Sequence, residues 1–346
     1  MRGNPYLINT DQPRSCRTRL NGPVVGPDLS GCFRALAALA ALAAWALLTV
    51  GGVVRVTESG LGCPDWPLCK GRVVPAGSTE AALEFSHRAV AGAVIVLAVA
   101  VAGWAFARYR AHRSVLVPAT VAVALVPGQA LLGAVVVWLE LPRWMVGVHF
   151  VIGVAFLAAT TLTAAASWPS LQRHASAGFA RVARLAAAAA IAVVGLGAAV
   201  VAADADHACG TDWPSCNGAL AAGGAEASLQ VAHRMGAYVI AVLALGVAVA
   251  ALRGRGPRLL GTLPLLAVGG QLGFGIGLVV SQGDTAHDVY SGLHVAGSGA
   301  VFGLLVLLAA RTATPAGRIR GALDRPPRPW RLTRAAAGGS RAVGPG

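Results

Sequence analysis

The feature that most constrains this chain is a series of eight apolar runs, near 33–54, 84–107, 115–138, 145–167, 185–203, 230–252, 259–281 and 291–310. Each is long enough to cross a bilayer as a helix, which takes roughly 20 residues. In lipid a helix satisfies all its backbone polar groups within one segment, so the runs predict helices. Composition agrees, with 56% hydrophobic and only 12% charged residues. That is too apolar for a water-soluble domain. The first run is too long for the core of a signal peptide and reads as a retained membrane helix. The expected fold is all-α, a polytopic membrane protein with eight transmembrane helices.

The formal net charge of +14 is almost entirely arginine, since Lys70 is the only lysine. The arginines cluster in alternate connections: the N-terminus, Arg108 to Arg113, the stretch holding Arg173, Arg181 and Arg184, Arg253 to Arg258, and the tail from Arg311. The other connections carry Glu58, Asp65, Glu140, Asp204, Asp206, Asp212, Asp284 and Asp288. This alternation is a topology signal rather than a nucleic-acid surface, and it predicts both termini in the cytoplasm. The Ala, Gly, Val and Arg bias reads as bacterial, which places the chain in a bacterial cell membrane with the lipid bilayer as its surroundings. Residues 1–32 and 311–346 are polar, rich in Pro, Arg or Gly, and are expected to be disordered.

An internal repeat divides the rest. Asp65-Trp66-Pro67-Leu68-Cys69 returns as Asp212-Trp213-Pro214-Ser215-Cys216, Glu84-Phe85-Ser86-His87-Arg88 as Gln230-Val231-Ala232-His233-Arg234, Gly128-Gln129 as Gly270-Gln271, and Gly147-Val148-His149 as Gly292-Leu293-His294. Two four-helix bundles related by an axis along the membrane normal follow, at 33–167 and 185–310, joined by a cytoplasmic linker at 168–184.

His87, His149, His233 and His294 fall near the outward ends of the second, fourth, sixth and eighth runs. A lone membrane histidine is often a packing residue bonded to a carbonyl, but four at repeat-equivalent positions point to a shared task. Facing imidazoles in a four-helix bundle are a usual way to hold a haem iron. Zinc would want a third ligand in register, and none is present. His112, His174, His207 and His287 lie in connections without repeat partners and are set aside. Arg88 and Arg234 directly follow histidines, and Arg55 and Arg143 lie near the same surface. These are candidate partners for haem propionates, although Arg88 is also placed for an i,i+4 ion pair with Glu84.

The halves differ at one informative place. Glu84 lies one helical turn before His87, and Gln230 replaces it before His233. Only glutamate can take or give a proton near neutral pH. The difference suggests chemistry in the first half and a fixed cofactor in the second, although a carboxylate at a helix start also serves as a cap.

Cys63 and Cys69 bracket a short Pro-containing segment in the first outward connection, and Cys209 and Cys216 bracket a similar one, a residue longer, in the third. Both pairs lie on the predicted oxidising side, where a disulfide either staples a loop or works as a redox pair; stapling is the commoner role. Cys16 and Cys32 are expected to be reduced thiols.

Residues 51–69, together with the Glu84-Phe85-Ser86-His87-Arg88 block, closely resemble the haem A synthase family. The eight-run duplicated plan, the outer-loop cysteines and the four histidines agree with it over about residues 33 to 310. The resemblance implies an oxidoreductase that converts the C8 methyl of haem O to a formyl group by two successive hydroxylations, giving haem A for cytochrome aa3 oxidase. It implies that His233 and His294 ligate a resident haem b, that His87 and His149 hold substrate haem O, and that Glu84 is catalytic. It also implies a Cys63–Cys69 disulfide; pairing of Cys209 with Cys216 follows by analogy within the chain. The implied partners are haem O synthase, the assembly of cytochrome aa3 oxidase and an electron donor of unidentified class. A dihaem b-type electron carrier or quinol oxidoreductase subunit would share the histidines but gives no reason for Glu84 and Gln230 to differ. A haem exporter would account for the cysteine loops but not for two haem places.

Overall fold

The computed structural model describes residues 30–75, 77–168, 175–219, 223–282 and 286–312. Eight helices, each long and apolar enough to cross a membrane, make up nearly all of it. They are α1 (Gly31–Val56), α2 (Thr79–Tyr109), α3 (Arg113–Trp138), α4 (Arg143–Ala166), α5 (Ala177–Ala202), α6 (Ala225–Leu252), α7 (Arg258–Val280) and α8 (Ala286–Thr312), with a 3₁₀ turn at Ser59–Leu61 after α1. Among the described residues there is no extended strand. The all-helical expectation holds.

Several helices start earlier than the apolar runs do. Ser78 takes the amide of Ala81 at 3.3 Å and so opens α2 ahead of residue 84. Ser176 likewise takes the amide of Phe179 at 3.2 Å and opens α5. The segment expected as a linker is therefore helical from Ala177 onward. Polar first turns carry no apolar signal, which is why the runs understate the helices. The tail from residue 313, most of the N-terminal segment, Cys16, His174 and Asp284 lie outside the described residues.

Within each half the helices pack in a ring, α1–α2–α3–α4 and α5–α6–α7–α8, closed by α1 against α4 and by α5 against α8. The halves meet through α1 on α8, α4 on α5 and α4 on α8. That leaves α4 as the most enclosed helix, with Val154, Phe156, Leu157 and Ala159 buried in a shared core beside Val301, Phe302 and Leu305 of α8. Small residues permit this approach, as is usual where lipid offers no hydrophobic drive between helices. A Cβ on Gly52 would lie 2.6 Å from Val295 Cγ1, so α1 and α8 can meet this closely only with glycine there. Trp45 Nε1 also donates across the same seam to Ala296 O at 2.9 Å. Pro118 and Pro127 lie inside α3 and Pro264 inside α7, a placement that membrane helices tolerate better than soluble ones.

At the opposite ends of these helices Arg311 is 3% exposed. Its Nη1 donates to Ala165 O at 2.9 Å and also to Trp168 O. Sequence alone assigned it to a basic tail; instead it caps the last carbonyls of α4 from α8 and ties the halves together. Arg311→Ala is expected to lower the stability of the detergent-solubilised protein by about 1–3 kcal/mol, read as a fall in thermal midpoint. An unchanged midpoint would mean that the cap adds nothing.

Candidate functional site

Even-numbered helices all begin on the face that carries the two cysteine loops, and each of the four histidines sits within the first turns of one of them. Every one of these rings rests on a glycine of the preceding helix. Measured from the place a Cβ would occupy, Gly51 lies 2.9 Å from His87 Cε1, Gly133 3.3 Å from His149, Gly197 3.0 Å from His233 and Gly275 3.2 Å from His294. Any larger residue would push the imidazole away. Gly51 and Gly197 each precede their histidine by 36 positions, a repeat signal that sequence reading passed over.

In the second half, the rings of His233 and His294 face one another with centroids 6.3 Å apart and planes at 66°. His233 Nδ1 lies 3.1 Å from the Val193 carbonyl. A donor Nδ1–H there fixes the tautomer that leaves Nε2 with a free lone pair, as in metal-ligating histidines. In the first half, His87 and His149 stand on α2 and α4, each against its own glycine. Both have a buried Nδ1 with no partner. Paired imidazoles on facing helices, seated on glycines and holding unused nitrogens, fit a haem in each half. Among the described residues no cluster of three or more His, Cys, Asp or Glu could hold a bare metal ion.

Glu84 is 4% exposed. Its Oε2 accepts the Cys63 amide at 2.7 Å, and Oε1 pairs with Arg88. Arg88 Nη1 donates to the carbonyls of Asp65 and Leu68, and Nη2 to that of Cys63, each at 2.7 Å. The guanidinium that was a candidate propionate partner thus clamps the loop closed by the Cys63–Cys69 disulfide. Helix α2 carries both the clamp and His87, so loop and histidine are positioned together.

The second loop is closed by a Cys209–Cys216 disulfide and is clamped by Arg234, which donates to Asp212 O at 2.8 Å and to Ser215 O at 2.7 Å. Gln230 cannot reproduce the role of Glu84. Its Nε2 donates to Asp206 O at 2.5 Å, and Arg234 Nη2 is left buried without a partner. Exchanging an acceptor for a donor has rewired this corner. Arg55 lies on the rim between the halves, within electrostatic reach of Asp206 and Arg143, and Arg143 pairs with Asp204. His207 and His287, set aside on sequence, stack at 5.9 Å on that rim. No repeat marks them, so nothing in the sequence pairs them. The expectation that Cys32 is reduced is corrected: its sulfur is disulfide-bonded. Pairing depends on which sulfur lies within reach, and the predicted side of the membrane does not decide it.

Asp65 shapes the first loop by accepting the amides of Lys70 at 2.5 Å and Gly71 at 2.8 Å, where the chain turns through positive φ. The Gly71 amide holds its carboxyl below the usual aspartate range. A depressed folded pKa means the contribution is present at neutral pH and is lost as pH falls through that lowered value. Protection of the Lys70 and Gly71 amides, taken relative to the intrinsic exchange rate at each pH, is therefore expected to hold at neutral pH and to fall only below the ordinary aspartate range. Asp65→Asn should abolish this pH dependence. Loss of that protection already near neutrality in the unmodified protein would contradict the assignment.

Comparison with known proteins agrees with this geometry. The chain is 34% identical over 179 residues to a protein named heme A synthase from Halalkalibacterium halodurans, covering 50% of this chain and 60% of that protein. It is 33% identical over 181 residues to the protein of that name from Alkalihalophilus pseudofirmus, covering 50% and 61%. A third, from Exiguobacterium sibiricum, is 39% identical over 95 residues, covering 27% and 32%. The chain thus spans between about a third and three fifths of the length of these curated relatives. The family model described as cytochrome oxidase assembly protein matches residues 34–306, which takes in α2 to α7, most of α1 and α8, both cysteine loops and the four histidines. On that match the chain belongs to the COX15-CtaA family of cytochrome oxidase assembly proteins.

Proposed function

We propose that this chain is a haem A synthase, an oxidoreductase that turns the C8 methyl of haem O into a formyl group by successive hydroxylations. The observation that carries this reading is the unequal pair of corners. Glu84 is buried one turn before His87, against Cys63, while Gln230 stands at the matching place before His233. A dihaem electron carrier has no use for a proton-active group beside one haem only. The relatives named heme A synthase support the same choice.

His233 and His294 would hold a resident haem b in the second half, which would supply one-electron transfer. His87 and His149 would hold substrate haem O in the first half, each ring seated on the glycine beneath it. Glu84 holds and moves a proton at Oε1 or Oε2. Both oxygens are already engaged, so taking up a proton opens either the Arg88 pair or the Cys63 amide bond. Arg88 keeps the loop shut over the α2 corner and limits water there. Arg234, with one buried nitrogen free of partners, is the better placed of the arginines to meet a propionate. The first bundle is accordingly the substrate half and the second the cofactor half. Both termini face the cytoplasm of a bacterial cell, haem O synthase supplies the substrate, and cytochrome aa3 oxidase receives the product.

The test is conversion by the purified protein. Supplied with haem O, dioxygen and a reductant, the haem b-loaded chain is expected to yield hydroxylated and formyl products by mass spectrometry. Haem O recovered unchanged, with the protein intact and its haem b reduced, would overturn the reading.

A further inference from the structure

Two half-buried glutamines that the proposed chemistry does not use reach the histidines from behind. Gln129 on α3 donates through Nε2 to the His149 carbonyl at 3.0 Å. Gln271 on α7 donates to the His294 carbonyl at 3.0 Å, and the same nitrogen lies 3.1 Å from His294 Nδ1. Each glutamine occupies a notch left by a glycine one turn beyond the histidine. A Cβ on Gly153 would lie 3.2 Å from Gln129 Nε2, and one on Gly297 would lie 2.2 Å from Gln271 Oε1. Both Oε1 atoms are buried without a partner, and so is His149 Nδ1.

A mid-helix carbonyl already has its helical bond, so the backbone does not need these amides. Burying an amide with half its hydrogen bonds unmade is unfavourable. A residue kept under those terms has a second partner in another state of the protein. Coordination at Nε2 leaves the ring proton on Nδ1, and a half-turn of the Gln271 amide, which exchanges its nitrogen for its unpartnered oxygen, brings an acceptor to the place 3.1 Å from His294 Nδ1 that Nε2 now takes.

We infer that Gln271 is a positioning residue for the axial histidine His294, with Gln129 at the matching place beside His149: the Gln271 amide oxygen, turned toward the ring, takes the Nδ1 proton of His294 when the ring ligates iron. The inference rests on the haem reading above. Such a bond fixes the ring plane and raises the basicity of the imidazole. In the cofactor half the amide already touches Nδ1, whereas in the substrate half it holds only the carbonyl of His149. The tighter grip falls where the haem stays and the looser one where the haem leaves as product.

The test is a redox titration of the full-length protein in detergent, followed by its haem absorption band, for wild type, Gln271→Leu and Gln271→Glu. An acceptor on Nδ1–H favours ferric iron. Gln271→Leu is therefore expected to shift the equilibrium toward ferrous haem about tenfold, ~59 mV for one electron. Gln271→Glu, which keeps the volume and offers a stronger acceptor, is expected to shift it the opposite way. Haem content equal to wild type with an unmoved midpoint in Gln271→Leu would overturn the inference and leave Gln271 a packing strap. If Gln271→Leu carries no haem, Gln271→Glu decides: a midpoint at or above wild type overturns the inference. A His294→Ala protein that keeps a six-coordinate spectrum would instead overturn the haem reading beneath it.

Discussion

Glu84→Gln is expected to keep its haem b and to lose at least ~100-fold of its haem A output, the scale of a positioned acid-base group. The substitution has a folded precedent inside the chain. Gln230 occupies the matching corner, turns its amide to Asp206 O, and leaves Arg234 still holding two loop carbonyls. Arg88 should likewise keep the carbonyls of Cys63, Asp65 and Leu68, so the loop and its disulfide should survive. What is lost is the group that can carry a proton. Haem A output and co-purifying haem b, measured on the same preparations, check this. Haem A formed at the wild-type rate would remove Glu84 from the chemistry.

Removing the histidines one at a time is expected to separate the halves. His233→Ala and His294→Ala should each purify with at least tenfold less haem b, since an axial ligand is gone and the glycine seat beneath it no longer faces an imidazole. His87→Ala and His149→Ala should retain haem b at wild-type level and fail to make haem A, because their ring nitrogens belong to the substrate half. Quantifying haem as its pyridine complex and recording the low-spin signal of the oxidised protein read both effects. A reversed pattern, with haem b lost from His87→Ala and kept in His233→Ala, would exchange the roles of the bundles.

Much of this architecture lay in the sequence because it is periodic. Runs long enough to cross a bilayer translate directly into helices, and the histidines of the sixth and eighth runs meet as a ring pair. The i,i+4 relation of Glu84 and Arg88 was equally local and appears as an ion pair. Contacts across helices were not legible. Nothing in the neighbourhood of Gly51 announces that it lies beneath His87, because the relation is set by how α1 packs on α2. Gly128-Gln129 and Gly270-Gln271 stood out as a repeat, yet which backbone or ring they reach depends on the register of α3 on α4 and of α7 on α8. Arg88 was misjudged in part because a guanidinium has five donors, and sequence cannot say that a loop folded by Asp65 will present three carbonyls to it. Arg311 was assigned to a solvated tail by its neighbours, and the end of α4 holds it instead.

The most direct test of the central claim is to express the full chain in a host that makes haem B, with and without a haem O synthase, and to identify the extracted haems by chromatography and mass spectrometry. The proposed function requires haem A when haem O is supplied and its absence otherwise. Haem B alone in both cultures, from cells that contain intact protein, would contradict it and favour an electron carrier.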